Sequence, residues 1–240
     1  MCSLGVADSV VSVDEEHGEL QPNLDTNEVD HFVSAVQASL GGVPGIGPIV
    51  AALVTSVIPR QRLDRVADTV RILKDQLSGL QQDFVRERML RAEFIDLLEE
   101  SFPQAANAFT EERKAYIASL LKNSIKSDDL AHEQEKELLS LLGQLNDSEL
   151  IILGWYGSGA KYIGQPDEYY NRHEEVLYSP LLETNATEEQ LRDAALKEAY
   201  RSKLRRLELA RPRDRGSDQI TELGRLLLRQ IDFYSLEPPE

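Results

Sequence analysis

Apolar residues recur at alternating spacings of three and four between residues 63 and 84. This heptad spacing places every member on one face of a helix, and such a face needs another helix packed against it. The pattern predicts one long helix, or two nearly continuous ones, from Arg60 to about Phe102. Gly79 is a weak point within it, and Pro103 is expected to end it. The heptad seam consists of Leu63, Val66, Val70, Leu73, Leu77, Leu80 and Phe84.

Several helix starts are marked by capping residues, whose side chains satisfy free backbone amides of the first turn. Pairs with the capping-box spacing are Asp25 and Glu28, Asn146 and Glu149, and Thr187 and Gln190. Single caps ahead of further periodic segments are Thr110, Ser127 and Thr221. Together with the seam, these positions predict a predominantly α-helical protein.

The chain divides into three predicted regions. Residues 1–24 are acidic and lack periodicity, which indicates a disordered tail. We expect residues 25–145 to form a helical bundle containing the long helix, and residues 146–236 to form an α+β module; a boundary near residue 186 is the alternative. Within that module, residues 157–186 are rich in Tyr, Pro and charge, which predicts a long loop or a loop that hides a short element.

The C-terminal end shows a characteristic order of segments. Leu204 to Ala210 ends a helix in a leucine-rich turn, and a basic, polar stretch follows as far as Asp218. The segment Ile220-Thr221-Glu222-Leu223-Gly224-Arg225 then opens a last helix. This order resembles the winged-helix superfamily, where a helix, a two-stranded wing and a Leu/Ile-Thr-x-x-Gly-Arg segment follow one another.

The resemblance covers about forty residues, or about eighty if residues 146–155 supply a first helix. It implies a module that docks a protein or binds DNA. The chain departs from the superfamily where the long loop replaces a compact helix-turn-helix. The chain as a whole also resembles helical proteins of bacteria.

Charge is distributed unevenly along the chain, whose formal net charge is -16. Residues 192–229 carry eleven bases and six acids, a local excess of +5, so the remainder carries -21. An asymmetry of this kind is a reason to expect an anionic partner at the C-terminal end.

The bases of this end fall into two sets that would suit DNA phosphates. One recurs every four residues and predicts a stripe along a helix, and the other alternates as residues on a wing would. The alternative, which we favour, is that these bases pair with acids of the same protein and that the module docks a protein. The two sets are Lys197, Arg201 and Arg205, and Arg211, Arg213 and Arg215.

A Gly/Pro-rich turn and a short apolar helix occupy residues 41–59. The apolar run is about half of the roughly 20 residues that a spanning helix requires. We favour a helix buried in the protein. Interfacial or oligomeric insertion is the alternative, although the acids that flank the segment oppose binding to anionic lipid. The residues that would enter a membrane, or contact a partner, are Ile49, Leu53 and Val57.

The sequence offers no recognisable catalytic chemistry. Gly154 to Lys161 lacks the residues that flank the lysine of a phosphate-binding loop. The histidines share no ligand spacing, and two of them lie in strongly charged stretches typical of solvated surface. We therefore expect no enzymatic activity, no metal and no cofactor. The histidines are His17, His31, His132 and His173.

The compartment follows from the cysteines and the N-terminal charge. Cys2 is the only cysteine, which excludes an intrachain disulfide. The first 59 residues contain no Lys or Arg, whereas secretory signals and transit peptides need basic residues. A cytoplasmic protein is expected.

These observations favour a non-enzymatic interaction or regulatory protein that binds a protein partner or itself. The seam would mediate packing or self-association, and the winged-helix-like end would dock the partner. The alternatives are a DNA-binding regulator that uses the basic end and a conditional membrane effector that uses residues 41–59.

Overall fold

The computed structural model describes residues 62–126, 130–158, 168–178, 186–213 and 218–236. This part of the chain is predominantly helical, and its strands are confined to one two-residue antiparallel pair. The predicted class is therefore confirmed. Three predicted features lie outside the described residues: the acidic tail, the helix expected from Asp25, and the apolar segment with Ile49, Leu53 and Val57.

The segment predicted as one or two long helices forms three. They are α1 (Leu63–Leu77), α2 (Gln82–Met89) and α3 (Ala92–Asn107). The prediction of a single helix through the whole seam is wrong, because α1 ends at Leu77 and a turn around Gly79 follows. A helix that continued past Phe84 would carry Glu87 and Arg91 on the seam; the break instead buries Val85 and Met89.

The seam itself lies where it was expected over the length of α1. Its first five members, Leu63, Val66, Val70, Leu73 and Leu77, are all buried. They face α3 and α4 (Glu111–Lys126). Leu80 and Phe84 are partly buried against the same core. The seam therefore packs within one molecule.

Pro103 does not end α3, contrary to prediction. The helix runs through it to Asn107. Pro103 lies on the exposed side of α3, whereas Phe102, Ala105 and Ala106 are buried. Burial of this last turn outweighs the loss of one helical hydrogen bond.

Two of the next three helices begin at the predicted caps. Thr110 Oγ1 accepts the Arg113 backbone N–H at 3.2 Å at the start of α4. α5 (His132–Gln144) starts after Ala131, and the predicted cap Ser127 lies outside the described residues. α6 (Asp147–Gly157) starts with the predicted capping box of Asn146 and Glu149, whose two hydrogen bonds are both 2.8 Å long.

The predicted loop at 157–186 contains two short helices, α7 (Glu168–Arg172) and α8 (Glu174–Leu177). Tyr169 of α7 donates its hydroxyl proton to the Ile151 carbonyl of α6 at 2.8 Å. Its ring stacks on Trp155 with 6.3 Å between the centroids. Of the two alternatives for this segment, the hidden short element is the one observed, and it lies against α6.

The C-terminal segment forms α9 (Glu188–Arg206), β1 (Ala210–Arg211), β2 (Gln219–Ile220), α10 (Glu222–Gln230) and α11 (Phe233–Leu236). The predicted capping box of Thr187 and Gln190 starts α9. β1 and β2 are antiparallel, with Ala210 opposite Ile220. Thr221 caps α10 by accepting the Gly224 N–H at 3.1 Å.

One hydrophobic core joins the two ends of the described chain. Its buried members extend from Leu63 to Phe233. The rings of Phe233 and Tyr116 stack with centroids 5.5 Å apart, which seats α11 on α4. Beside them, Lys122 pairs with Asp232. The C-terminal helices are therefore held on the bundle by apolar packing and by charge.

Gly224 is expected to tolerate no side chain. A Cβ built there would lie 2.5 Å from the Leu209 carbonyl oxygen and 2.8 Å from Ile220 Cγ1. The nearer contact is backbone, so α10 would have to move away from the β1–β2 sheet. We expect Gly224→Ala to lower the free energy of unfolding by about 1–3 kcal/mol in urea titrations. Gly79→Ala, at a site where a Cβ meets nothing within 4 Å, is the control and should cost less.

Candidate functional site

The basic stripe of α9 faces the body of the protein. Lys197 donates a hydrogen bond to the Tyr178 carbonyl, just after α8, and its ammonium lies 6.0 Å from the centre of the Tyr178 ring. Burial lowers the pKa of Lys197. A lysine engaged in this way is poorly placed to meet a phosphate in solvent.

Arg205, the last member of the stripe, is held by two carboxylates. Its Nε donates to Asp218 Oδ2 at 2.7 Å, and its Nη1 donates to Glu198 Oε1 at 2.9 Å. The hydrogen bond with Asp218 raises the pKa of Arg205 most, and the hydrogen bond with Glu198 adds to this effect. Arg201 lies 3.9 Å from the other oxygen of Glu198. Glu198 therefore partly neutralises two members of the stripe.

Arg201 and Arg205 line a cavity of about 320 Å³ between α6, α8, α9 and Asp218, the residue before β2. Its other walls include the aromatic side chains of Trp155 and Tyr156. Burial raises the pKa of Tyr156 to about 12, and the negative charge of Asp218 adds to this effect. The phenol is therefore protonated at neutral pH. The cavity combines aromatic walls with two guanidinium groups that already contact acids.

A further base of α9 is fixed in the same way. Lys203 Nζ donates to Glu149 Oε2 at 2.8 Å. The Glu149 side chain is 2% exposed, and the same oxygen accepts the Asn146 N–H that completes the capping box of α6. One carboxylate thus connects the start of α6 with the C-terminal half of α9.

The bases predicted for the wing are placed differently from the stripe. Arg211 lies at the end of β1 and is exposed. Arg213 is also exposed, and its Nε donates to Gln219 Oε1 at 3.4 Å. Arg215 lies outside the described residues. Arg211 and Arg213 are therefore more exposed than the bases of the stripe.

The opposite side of α9 is turned to solvent. Leu191 is 50% exposed and Leu196 is 48% exposed. Leu204 is the only α9 residue that is buried. The first half of α9 consequently projects an apolar and charged surface away from the core. Sequence reasoning concentrated on the bases and missed this surface, although the leucines themselves are visible in the sequence.

Several partners of the stripe were also missed. Glu198 is three residues from Arg201 and seven from Arg205, so helical spacing alone would have indicated both contacts. Asp218 and Tyr178 reach the stripe across loops, and no local pattern of the sequence indicates their positions. The favoured interpretation, in which these bases pair with acids of the same protein, matches the contacts of Arg201 and Arg205, whereas Lys197 contacts a carbonyl group.

The two described histidines belong to different parts of the fold. His132 Nε2 lies 2.8 Å from Asp96 Oδ2, which also accepts from Lys136 Nζ at 2.8 Å. Hydrogen bonds from Lys136 and His132 lower the pKa of Asp96. His173 instead packs on Tyr169, with ring centroids 4.7 Å apart. Both histidines thus contact neighbouring side chains.

The described residues show neither a metal-binding cluster nor a membrane-spanning helix. Within those ranges, no group of three or more His, Cys, Asp and Glu side chains is arranged to hold a metal ion. Every helix found there is too short or too polar to cross a bilayer.

Comparisons of the chain with protein-family models, with curated proteins and with solved structures gave no match.

Proposed function

We propose that this chain is a non-enzymatic interaction or regulatory protein in which a helical bundle supports a winged-helix-like docking module. The observation that carries the proposal is the opposite chemistry of the two sides of α9. Its inner cations contact acids or carbonyl groups of the same chain, whereas its outer side leaves leucines in solvent. Exposed apolar side chains are suited to a protein surface and contribute little to binding phosphates.

The order of elements supports the winged-helix-like part of the proposal. α9 is followed by the β1–β2 sheet and then by α10, while α6 packs against α9 and β2 as a first helix would. The structure also gives a role to Thr221 in the Ile220 to Arg225 segment. Its hydroxyl donates a proton to the Glu208 carbonyl at 2.6 Å and also caps α10. The same hydroxyl thereby connects the turn before β1 to the start of α10.

DNA binding is the second candidate, favoured by the exposed bases of the sheet. Arg211 and Arg213 point into solvent beside a segment that contains Arg215. If this surface binds DNA, we expect contacts mainly to phosphates. Affinity should then fall by about 0.9 logarithmic units per tenfold rise in salt for each phosphate neutralised.

A mobility-shift titration with a duplex of mixed sequence separates the two candidates. The docking proposal predicts no shift at physiological salt, and at most weak binding at the lowest salt. The DNA hypothesis predicts a shift whose salt dependence flattens when Arg211, Arg213 and Arg215 are together replaced by serine. Tight binding at physiological salt that the triple variant loses would overturn the docking proposal.

The control variant removes the same charge from other exposed positions. Arg86, Lys126 and Arg229 are all exposed and lie on α2, α4 and α10. Their joint replacement by serine changes the net charge by the same amount. If both triple variants weaken a shift equally, the binding reflects net charge alone and is no support for the DNA hypothesis.

A further inference from the structure

The outer side of α9 has the spacing of a helix-pairing surface. Six of the exposed residues of α9 follow one another at intervals of three or four, which places them along one face. This outer face of α9 consists of Glu188, Leu191, Ala195, Ala199, Ser202 and Arg206, all exposed. The heptad seam of α1 is buried within the molecule, so it is not available for self-association.

The outer face is also self-complementary in charge and size. Glu188 and Arg206 lie at equal distances in sequence from residue 197, and so do Ala195 and Ala199. A second α9 running in the opposite direction would therefore bring each Glu188 to the partner's Arg206. The same antiparallel arrangement brings each Ala195 to the partner's Ala199. The small side chains at these positions let the two helices approach closely.

We infer that two copies of this chain associate through antiparallel pairing of the outer faces of α9. The inference rests on the proposed function and specifies its partner as a second copy. A parallel pair would bring Glu188 of each copy together, so repulsion opposes that arrangement. Leu191, half exposed in the single chain, lies one turn before Ala195 on this face and would be covered by the second helix.

The expected dimer is weak. α9 has 19 residues, so the two helices would overlap over about 28 Å. Such a contact is at the lower end of the areas that specific interfaces bury, which is the range of transient complexes. Exposed ion pairs add little to the stability of a dimer. Reversing the charge of Glu188 or of Arg206, however, places like charges together at both ends of the contact.

Sedimentation velocity of the full chain over a concentration series tests the pairing through charge reversal. Glu188→Arg and Arg206→Glu should each raise the dissociation constant by about tenfold or more. The double variant E188R/R206E should return it to within about threefold of the original value, because each copy again presents opposite charges. An equimolar mixture of the two single variants should likewise form mixed dimers.

The control is Glu137→Arg, an exposed charge reversal on α5 that should leave the dissociation constant unchanged. Far-UV circular dichroism checks that α9 stays helical in every variant. A chain that stays monomeric at all concentrations overturns the inference, and so does a dimer that the single reversals leave intact or that the double variant fails to restore. Reversals that weaken the dimer without rescue would show that these residues meet a different surface.

The outcomes also separate this inference from the proposed function. A monomer that shows no DNA binding overturns self-pairing, while docking of another protein stands. A DNA shift lost when Arg211, Arg213 and Arg215 are replaced together overturns the proposed docking function, whereas the charge-reversal rescue would still establish the pairing.

Discussion

Leu73→Ala and Leu77→Ala are each expected to lower the free energy of unfolding by roughly 2–5 kcal/mol. Both side chains belong to the part of the seam that lies between α1 and the helices packed on it, and they are 1% and 5% exposed. Truncation removes buried methyl groups and leaves a cavity that the closely packed helices only partly fill. Urea titration monitored by circular dichroism measures the effect.

The matched control for these two variants is Leu191→Ala on the outer face of α9. The same atoms are removed there from a side chain that is half exposed, so the expected change is within about 0.5 kcal/mol. If Leu73→Ala and Leu77→Ala leave the unfolding midpoint unchanged, the seam is not buried between the helices. If Leu191→Ala costs as much as they do, that leucine is covered by a contact such as the proposed second α9.

Features set by neighbouring residues could be predicted from the sequence. The capping boxes at Asn146 and Thr187 involve side chains and amides only three residues apart, so the chemistry is readable without knowing the fold. The buried face of α1 follows from the spacing of apolar residues in the same way. Such signals fix where helices start and which side they bury.

The break in the seam was not predictable from periodicity, because the heptad spacing continues through it. Leu80 and Phe84 fit the spacing, yet the helix ends before them. After the turn at Gly79, Val85 and Met89 are buried, and this burial depends on packing against α3 and α4, the next two helices of the chain. Burial against distant segments likewise keeps α3 helical through Pro103.

The orientation of the basic stripe is a further property that local spacing leaves open. Spacing places Lys197, Arg201 and Arg205 on one side of a helix but does not say whether that side faces solvent. Asp218 and the Tyr178 carbonyl, which hold the first and last of these bases, come from segments on either side of α9. The charge pattern alone therefore leaves two possibilities for this face, DNA binding and contacts with groups of the same chain, and the structure shows the contacts.

Glu149 is expected to be the polar side chain whose loss destabilises the fold most. Its carboxylate accepts the Asn146 N–H and the Lys203 ammonium, each at 2.8 Å, from an almost fully buried position. Glu149→Ala removes a helix cap, worth about 1 kcal/mol, and a charge-assisted hydrogen bond, worth about 1.5–3 kcal/mol. We expect a total loss of about 3 kcal/mol in the free energy of unfolding.

Two companion variants separate the cap from the ion pair. Glu149→Gln keeps an oxygen that accepts from Asn146 but loses the negative charge, so it should cost clearly less than Glu149→Ala. Lys203→Ala leaves the carboxylate buried without its cation and should therefore also be costly. In a double-mutant cycle of Glu149→Ala and Lys203→Ala, groups in direct contact should show a coupling of about 0.5–3 kcal/mol. Additive losses would mean that the two residues do not interact. The placement of α9 against α6 would then be wrong, and with it the assignment of an inner and an outer side to α9.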